Sequence, residues 1–413
     1  MAQAEEIVLE LQRELVLLGA RVDYLETLEK GAAAAAQPTP IFLTGFEHGV
    51  PVPSASGNLG LYDLTATDSI TIVTTPVHSG TYALQIAQTA STRTVAWNIS
   101  TANRIVWRFY VRFPSSLPAA TVVIAHIIVS TGLAVWVRFN QATTKLNLIW
   151  GGTTDSQDSA ATIAADTWYR IDLDINVNAA TRTADWQVAV ADGAGVVQTQ
   201  SASTESAGTI TGIRIGGVGT QTMTAVYDDV FLSVTPADYP IGAGSTELLV
   251  PVSDGTHNSG INIIEDQAGT DIDGTTAYNL VDDIPISGVA DYVRQFANDA
   301  TRYAEVNFGN TSNTTIKGVM GEANVASSSA GFACNGVMIV IRNDGTQVGV
   351  LGSPGAPESF TSSGPFYKRA IITAPTGDWT QAEVNALYGR IGFSTDTNPI
   401  PRFHAFALEV AYA

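Results

Sequence analysis

The hydrophobic and polar positions of the chain follow two different periods, one near the N-terminus and another from residue 41 onward. Between Ile7 and Leu28, apolar residues recur at alternating spacings of three and four, which places them along one side of an α-helix. They fill the a and d positions of three heptads, namely Val8, Leu11, Leu15, Leu18, Val22 and Leu25. This pattern predicts a coiled-coil helix over residues 1–30 that serves for oligomerisation or as an anchor.

A helix of this length is only marginally stable alone in water, so we expect it to associate with other chains. Val at a and Leu at d favour a dimer, whereas Ile7 and Leu28 at g widen the apolar face beyond what two helices would cover. We therefore expect a homo-oligomer and favour a trimer. The alternative is a helix that docks on the β domains of its own chain or on another protein.

The pattern changes after the helix. Residues 31–40, GAAAAAQPTP, offer nothing to bury and predict a linker. From Ile41 onward, short runs of alternating apolar residues separated by turn residues predict strands. The clearest runs are Arg104–Phe113, Trp168–Val177, Trp186–Val190, Ile213–Ile215 and Ala225–Val234.

A stretch rich in proline and small residues around Pro240 divides the remainder into domains 41–240 and 241–413. In the second domain, Thr380 and Glu383 have the spacing of a capping box and predict a short helix at Gln381–Tyr388. The C-terminus alternates again, with Phe406, Leu408, Val410 and Tyr412 expected to face the core. The prediction is therefore an all-β protein of two β-sandwich (jelly-roll) domains, preceded by an N-terminal α-helical coiled-coil segment.

Composition narrows the function classes. The 413 residues carry a formal net charge of -19, which disfavours nucleic acid and anionic membranes as partners because both require a basic face. No apolar run reaches the length of a membrane span, and the acidic start MAQAEEIV does not resemble a secretion signal, so we expect synthesis in a cytoplasm. The single cysteine, Cys334, is expected to be a small core residue of a strand.

Four motifs of the first domain resemble, in order and spacing, the concanavalin A-like or laminin-G-like jelly-roll domains found in lectins, glycanases and phage structural proteins. They are GFEHG at Gly45–Gly49, SGTYALQI at Ser79–Ile86, DTWYRIDLDI at Asp166–Ile175 and YDDVFLS at Tyr227–Ser233. Two segments of the last third resemble the C-terminal β-sandwich of tailed-phage virion proteins. They are Gly274–Pro285 and Trp379–Ser394.

The resemblance implies specific positions for catalytic acids. Glycanases of this fold carry them on one strand as E-x-D-x-x-E, and that pattern is absent. The nearest candidates, Asp172 and Asp174, are expected to be solvated charges on the polar face of a strand. The five histidines are far apart in sequence, and none has the paired spacing of a zinc helix. We expect no catalytic residues and no enzymatic activity.

Calcium is the one cofactor that the acids leave open. The jelly-roll family often gathers acids at the positions of Glu47, Asp228 and Asp229, which makes these three candidate metal ligands against the alternative of ordinary turn carboxylates. A second acidic loop contains Asp266, Asp271 and Asp273. Tryptophans offer an alternative binding surface for sugars, but five of them fall within strand patterns and are expected in the core: Trp107, Trp136, Trp150, Trp168 and Trp186.

These expectations combine into a non-enzymatic virion structural protein of a tailed phage, such as a fibre, spike or decoration protein. Its partners would be further copies of itself and other virion proteins of the capsid or tail. The alternative is an adhesin whose jelly roll binds host cell-surface glycan, and a glycan hydrolase is the third reading.

Overall fold

The computed structural model describes most of the chain from residue 40 onward. The described ranges are residues 40–49, 63–64, 69–130, 134–150, 156–177, 182–201, 208–256, 264–265, 277–282, 292–295, 303–327, 334–351, 358–360, 366–375, 377–393 and 401–413. The predicted helix of residues 1–30, including its six a and d positions, lies outside these ranges, as does the linker apart from Pro40. The helix and its trimer therefore stay predictions.

The described chain is almost entirely β, which confirms the all-β prediction. The first group of strands is β1 (Pro40–Thr44), β2 (Asp63–Leu64), β3 (Ile70–Val73), β4 (Ala83–Gln88), β5 (Arg93–Ala102), β6 (Arg104–Arg112), β7 (Val122–Val129), β8 (Ala134–Asn140), β9 (Lys145–Trp150), β10 (Ser156–Thr162), β11 (Trp168–Asn176), β12 (Thr183–Val190), β13 (Gln198–Ser201), β14 (Ile210–Gly217) and β15 (Met223–Ser233). The five strands predicted most clearly are all present, as β6, β11, β12, β14 and β15.

The second group follows a 3-10 turn at Pro236–Asp238. Its strands are β16 (Ser245–Leu249), β17 (Pro251–Asp254), β18 (Ile264–Glu265), β19 (Val293–Gln295), β20 (Ala304–Phe308), β21 (Ile316–Ser327), β22 (Cys334–Asn343), β23 (Thr346–Leu351), β24 (Glu358–Phe360), β25 (Phe366–Ile372), β26 (Leu387–Phe393) and β27 (Pro401–Tyr412). A second 3-10 turn spans Tyr278–Leu280. Cys334 begins a strand as predicted, but its side chain is not among those described.

The strands form four antiparallel sheets. Sheet A has the order β13-β12-β11-β6-β15-β4-β3 with β1 also on β15, and sheet B has the order β10-β9-β8-β7-β14-β5-β2. Sheet C has the order β18-β19-β27-β21-β25 with β16 on β27, and sheet D has the order β17-β20-β26-β22-β23 with β24 on β22. One apolar core joins residues of sheets A and B, and another joins residues of sheets C and D. Each pair is therefore a β-sandwich.

The predicted capping box is confirmed, but the helix is shorter than predicted. Helix α1 spans Gln381–Asn385, with the Thr380 side chain accepting from the Glu383 backbone and the Glu383 side chain accepting from the Thr380 backbone. It ends early because Leu387 already begins β26, where Ile391 enters the core of the second sandwich. None of the described helices combines the length and hydropathy that a bilayer-spanning segment needs.

The two sandwiches belong to one compact unit, Pro38–Ala413. The outer face of sheet A packs on the outer face of sheet C through a third apolar cluster, which we call the junction. It consists of Leu43, Val106, Phe231, Ile241, Met320 and Ala411. Because sheet A has its own core on one face and the junction on the other, its central strands β6 and β11 are buried on both faces.

Candidate functional site

The candidate site begins at the turn that follows β1, which carries two adjacent buried polar residues, Glu47 and His48. Phe46 adopts a left-handed conformation with φ of 62°, and the Gly49 N–H donates to the Phe46 carbonyl at 3.1 Å. Gly45 is required by close approach, since a Cβ there would lie 1.8 Å from the Thr246 hydroxyl oxygen. The side chains of Glu47 and His48 contact different groups of residues.

Glu47 packs against the loop between β3 and β4. Its carboxylate accepts hydrogen bonds from the backbone N–H groups of Thr81 at 2.9 Å and Tyr82 at 3.3 Å. Gly80 has a positive φ and leaves room for this carboxylate, because a Cβ at Gly80 would lie 2.1 Å from Oε1. Burial raises the pKa of Glu47 to about 7, although the two backbone hydrogen bonds oppose the shift.

Asp228 and Asp229 lie in β15 where its pairing with β6 is irregular, because the register shifts between Asp228 and Phe231. Asp229 has a φ of 45°, and both side chains are fully buried. Asp228 accepts from the backbone N–H groups of His78 at 2.8 Å and of Asp229 at 2.8 Å. Asp229 lies 2.6 Å from Nδ1 of His78 and accepts from the Thr246 N–H at 2.7 Å. Burial, together with the charge of Asp229, raises the pKa of Asp228 well above its usual value.

The structure thus places the three predicted calcium ligands around one loop, residues 78–82. Their carboxylates accept hydrogen bonds from backbone and side-chain donors of that loop, which satisfies the buried acids without a cation. A calcium ion would share these oxygen atoms with the donors that already bond to them. Calcium binding by Glu47, Asp228 and Asp229 stays a prediction, and Asp266, Asp271 and Asp273 lie outside the described residues.

His48 enters a second cluster, across the junction from the first sandwich. It ion-pairs with Glu322 of β21, and its Nε2 lies 3.9 Å from Oε2 of Glu409 in β27. Arg369 of β25 holds the other oxygen of Glu322 at 2.8 Å. Glu322, Glu409 and His48 are all buried. Among the described residues, these three form the one group of His, Cys, Asp and Glu side chains whose ligand atoms converge within 4.8 Å.

The charged groups of this cluster shift one another's pKa values. Burial alone would lower the pKa of His48, but the ion pair with Glu322 and the negative charge of Glu409 raise the pKa to about 9. Burial would raise the pKa of Glu322, yet the charges of Arg369 and His48 lower it. For Glu409, burial and the like charge of Glu322 raise the pKa.

The two acids considered for catalysis, Asp172 and Asp174, are not solvated as predicted. Asp172 is fully buried and accepts from Arg170 Nε at 2.8 Å, Gln187 Nε2 at 3.0 Å and the Gly242 N–H at 3.1 Å. Asp174 pairs with the guanidinium of Arg104 through two hydrogen bonds. The prediction was wrong because the connection between the sandwiches runs over this face of sheet A and buries it.

The tryptophans divide between core and surface. Trp107, Trp150 and Trp186 are core residues as predicted, and Trp97 also belongs to the core. Trp136 and Trp168 are only half-buried, which corrects the prediction that they fill the core. The alternation of β8 turns Trp136 to the outer face of sheet B, where it pairs across strands with His126.

Sequence reasoning missed His48, His78, Glu322 and Glu409. A signal existed for Glu409, because it is the only acid in a strand that otherwise reads as apolar on both faces, HAFALEVAY. The convergence of His48 with two glutamates more than 270 positions away could not be read from spacing. It depends on how the two sandwiches dock.

Comparisons with known proteins give fold similarity only. No protein-family model matches the chain, and no curated protein matches it either. A solved structure of the cellulose-induced protein Cip1 is similar with a TM-score of 0.35 and 14% identity, over 47% of this chain and 97% of that one. Trypanosoma rangeli sialidase gives a TM-score of 0.32 and 13% identity, over 55% of this chain but only 38% of its own. The catalytic domain of a glycoside hydrolase family 131 protein from Coprinopsis cinerea gives a TM-score of 0.28 and 13% identity, over 44% of this chain and 81% of that one. Similarity at this level carries no conclusion about function.

Proposed function

We propose that this protein is a non-enzymatic structural protein of a tailed-phage virion, a fibre, spike or decoration protein. Its N-terminal helix would oligomerise as a trimer or anchor the chain, and its two sandwiches would project from the particle. The motifs that resemble phage virion proteins motivate the biological setting. The non-enzymatic part rests on the environment of Asp172 and Asp174.

That environment is the observation that carries the proposal. Hydrolysis of a glycosidic bond requires two carboxyl groups that reach the substrate, one to donate a proton and one to attack or activate water. Asp172 is fully buried beneath the connection between the sandwiches and accepts three hydrogen bonds, one of them from the connection itself at Gly242. Asp174 is only 4% exposed and is paired with Arg104. In this fold Asp172 links sheet A to the connection, and Asp174 links β11 to β6 within sheet A.

The docking of the two sandwiches also favours an architectural role. An apolar junction joins sheet A to sheet C, so residues 38–413 form one body rather than two beads on a linker. A rigid body on a multimeric stalk presents several copies of each surface at a high effective concentration, which suits attachment and decoration.

The oligomerisation step can be tested by the mass of the full-length chain in solution. We expect a trimer, and we expect Leu18→Asp to give monomers with intact β-sandwiches, because the change places a charge in the apolar seam. Arg13→Asp is a matched control, since the heptad pattern predicts position 13 on the polar side of the same helix. A wild-type monomer at micromolar concentration would contradict the stalk.

The absence of turnover can be tested by assaying release of sugar from host polysaccharide, together with binding to host cells, for the full-length oligomer and a form lacking residues 1–37. We expect no sugar release, and tighter binding by the oligomer if the particle contacts its host through this protein. Sugar release that Asp172→Asn or Asp174→Asn abolishes, in variants with wild-type circular dichroism, would overturn the proposal. Undetectable binding by both forms would support a purely architectural role.

A second candidate, a glycan-binding adhesin, is favoured by Trp136. This half-buried ring lies on the outer face of sheet B, opposite His126 of β7 in the strand register. Arg214 of β14 lies opposite His126 on the other side. An aromatic face bordered by polar groups is a surface on which sugars stack. Specific binding on a glycan array that is lost in Trp136→Ala and kept in Trp168→Ala would select this candidate over the architectural one.

A further inference from the structure

Three side chains from separate parts of the sequence meet at the edge of the junction. His48 comes from the turn after β1, Glu322 from β21 and Glu409 from β27. In the register of sheet C, Glu409 lies opposite Met320, so Glu322 and Glu409 are diagonal neighbours on the same face. That face is the one that packs on the first sandwich. The three side chains are at least 96% buried.

The two carboxylates are oriented in the same way. Oε1 of Glu322 lies 2.8 Å from Nε of Arg369, and Oε1 of Glu409 accepts a hydrogen bond from the Gly45 N–H. In both residues Oε2 is the oxygen that faces Nε2 of His48. Oε2 of Glu409 accepts no hydrogen bond from any residue that the structure describes, although it is completely buried. This oxygen faces the imidazole nitrogen from 3.9 Å, beyond hydrogen-bond distance, which is a separation that two ligands of one metal ion can have.

We propose that His48, Glu322 and Glu409 bind a divalent transition-metal ion, with Zn²⁺ as the reference ion, and that this ion fastens the two sandwiches to each other. One imidazole nitrogen and two carboxylate oxygens form a donor set that zinc accepts, with water in a fourth position. Two donors that each lie about 2.1 Å from one ion are at most about 4.2 Å apart. The 3.9 Å between Nε2 of His48 and Oε2 of Glu409 meets this limit. The direct contact between His48 and Glu322 would have to lengthen to admit the ion.

The supporting contacts fit such an ion. Two carboxylates offset its charge beside a neutral imidazole, and the guanidinium of Arg369 adds one positive charge next to Glu322. Arg369 then forms an ion pair with Oε1 of Glu322, and the Gly45 N–H donates to Oε1 of Glu409. Contacts of this kind fix the orientation of carboxylate ligands around metals. Calcium and magnesium are less suitable, because they prefer oxygen ligands alone.

This site is distinct from the predicted calcium site at Glu47, Asp228 and Asp229, although His48 follows Glu47 in sequence. The carboxylates of the predicted calcium site accept hydrogen bonds from the loop at residues 78–82. The competing occupant of the new site is a proton on His48, which would make the cluster an ion pair between imidazolium and two glutamates. The two occupants differ in whether the folded protein retains metal.

The experiment uses the full-length chain, because the site forms only when both sandwiches are present. The protein is unfolded in guanidinium with a chelator, refolded with Co²⁺ or Zn²⁺, freed of excess ion by gel filtration and analysed for metal by mass spectrometry. We expect about one ion per chain, visible absorption from the Co²⁺ form, and unfolding at a higher denaturant concentration with metal than with chelator.

Variants then assign the ligands. His48→Gln and Glu409→Gln should weaken binding by more than the roughly tenfold to hundredfold that loss of a supporting partner costs. His78→Gln is the matched control, a histidine whose partner is Asp229, and should retain the metal. Should the junction variants fail to fold, the comparison of wild type with metal and with chelator still decides. The proposal is overturned if refolded wild type holds no metal and unfolds identically in both conditions, or if Glu47→Gln loses the metal while His48→Gln keeps it.

Discussion

Replacing Asp172 with alanine should destabilise the protein strongly, because this carboxylate is the counter-ion of a buried arginine. Arg170 is 4% exposed, and its Nε donates to Asp172 at 2.8 Å. Removing one partner of a buried ion pair leaves the other charge without compensation, at a cost of about 3–5 kcal/mol. The N–H of Gly242 and the amide of Gln187 also lose their acceptor, which makes the lower end of this range a conservative expectation.

The assay is denaturation by urea, followed by far-ultraviolet circular dichroism, for wild type, Asp172→Ala and the double variant Arg170→Met with Asp172→Leu. We expect a large drop in the midpoint for the single variant. The double variant should recover the part of the loss that comes from the uncompensated arginine, because an apolar pair of similar volume replaces a buried ion pair at little cost. The part that comes from the lost acceptor of Gly242 and Gln187 should remain. A loss below about 1 kcal/mol in the single variant, typical of exposed ion pairs, would refute the argument that this face is covered.

Three further outcomes follow from local contacts. Thr380→Ala should lower the free energy of unfolding by about 1 kcal/mol in urea denaturation, because it removes the capping hydrogen bond to the backbone of Glu383. Gly389→Ala should lower the free energy of unfolding by at least about 1–3 kcal/mol in the same assay, because the new Cβ would lie 1.9 Å from the buried Phe406 ring. A variant as stable as wild type would show that this core is loosely packed. Burial, with a smaller contribution from a nearby arginine, lowers the pKa of His126 to about 4. Below about pH 6.5 the unfolded chain therefore binds more protons than the folded protein. The free energy of unfolding should fall as the pH is lowered from about 6.5 to about 4. His126→Phe should flatten the dependence over that window, and an unchanged slope would contradict the buried neutral imidazole.

The individual strands were predictable because alternation is a local property. The apolar residues of β6, β11 and β27 recur at every second position, and each set was correctly assigned to a core. The capping box at Thr380 was equally local, since its partner lies three residues away. The length of helix α1 was not predictable, because the competing strand β26 is stabilised by pairing with β20 and β22 rather than by its own sequence.

The sequence by itself determined an all-β chain, the alternation of its strands and the short capped helix, because these depend on residues within a few positions of one another. Only the tertiary structure decided what happens on the second face of sheet A. Alternation marks that face as polar and therefore as solvated, yet the second sandwich and the connection after β15 cover it, and Asp172 and Asp174 are buried. The sequence pattern of a polar strand face is the same whether that face is exposed to water or packs against complementary charges. The difference is set by contacts between residues hundreds of positions apart, such as His48 with Glu322, which no local pattern contains.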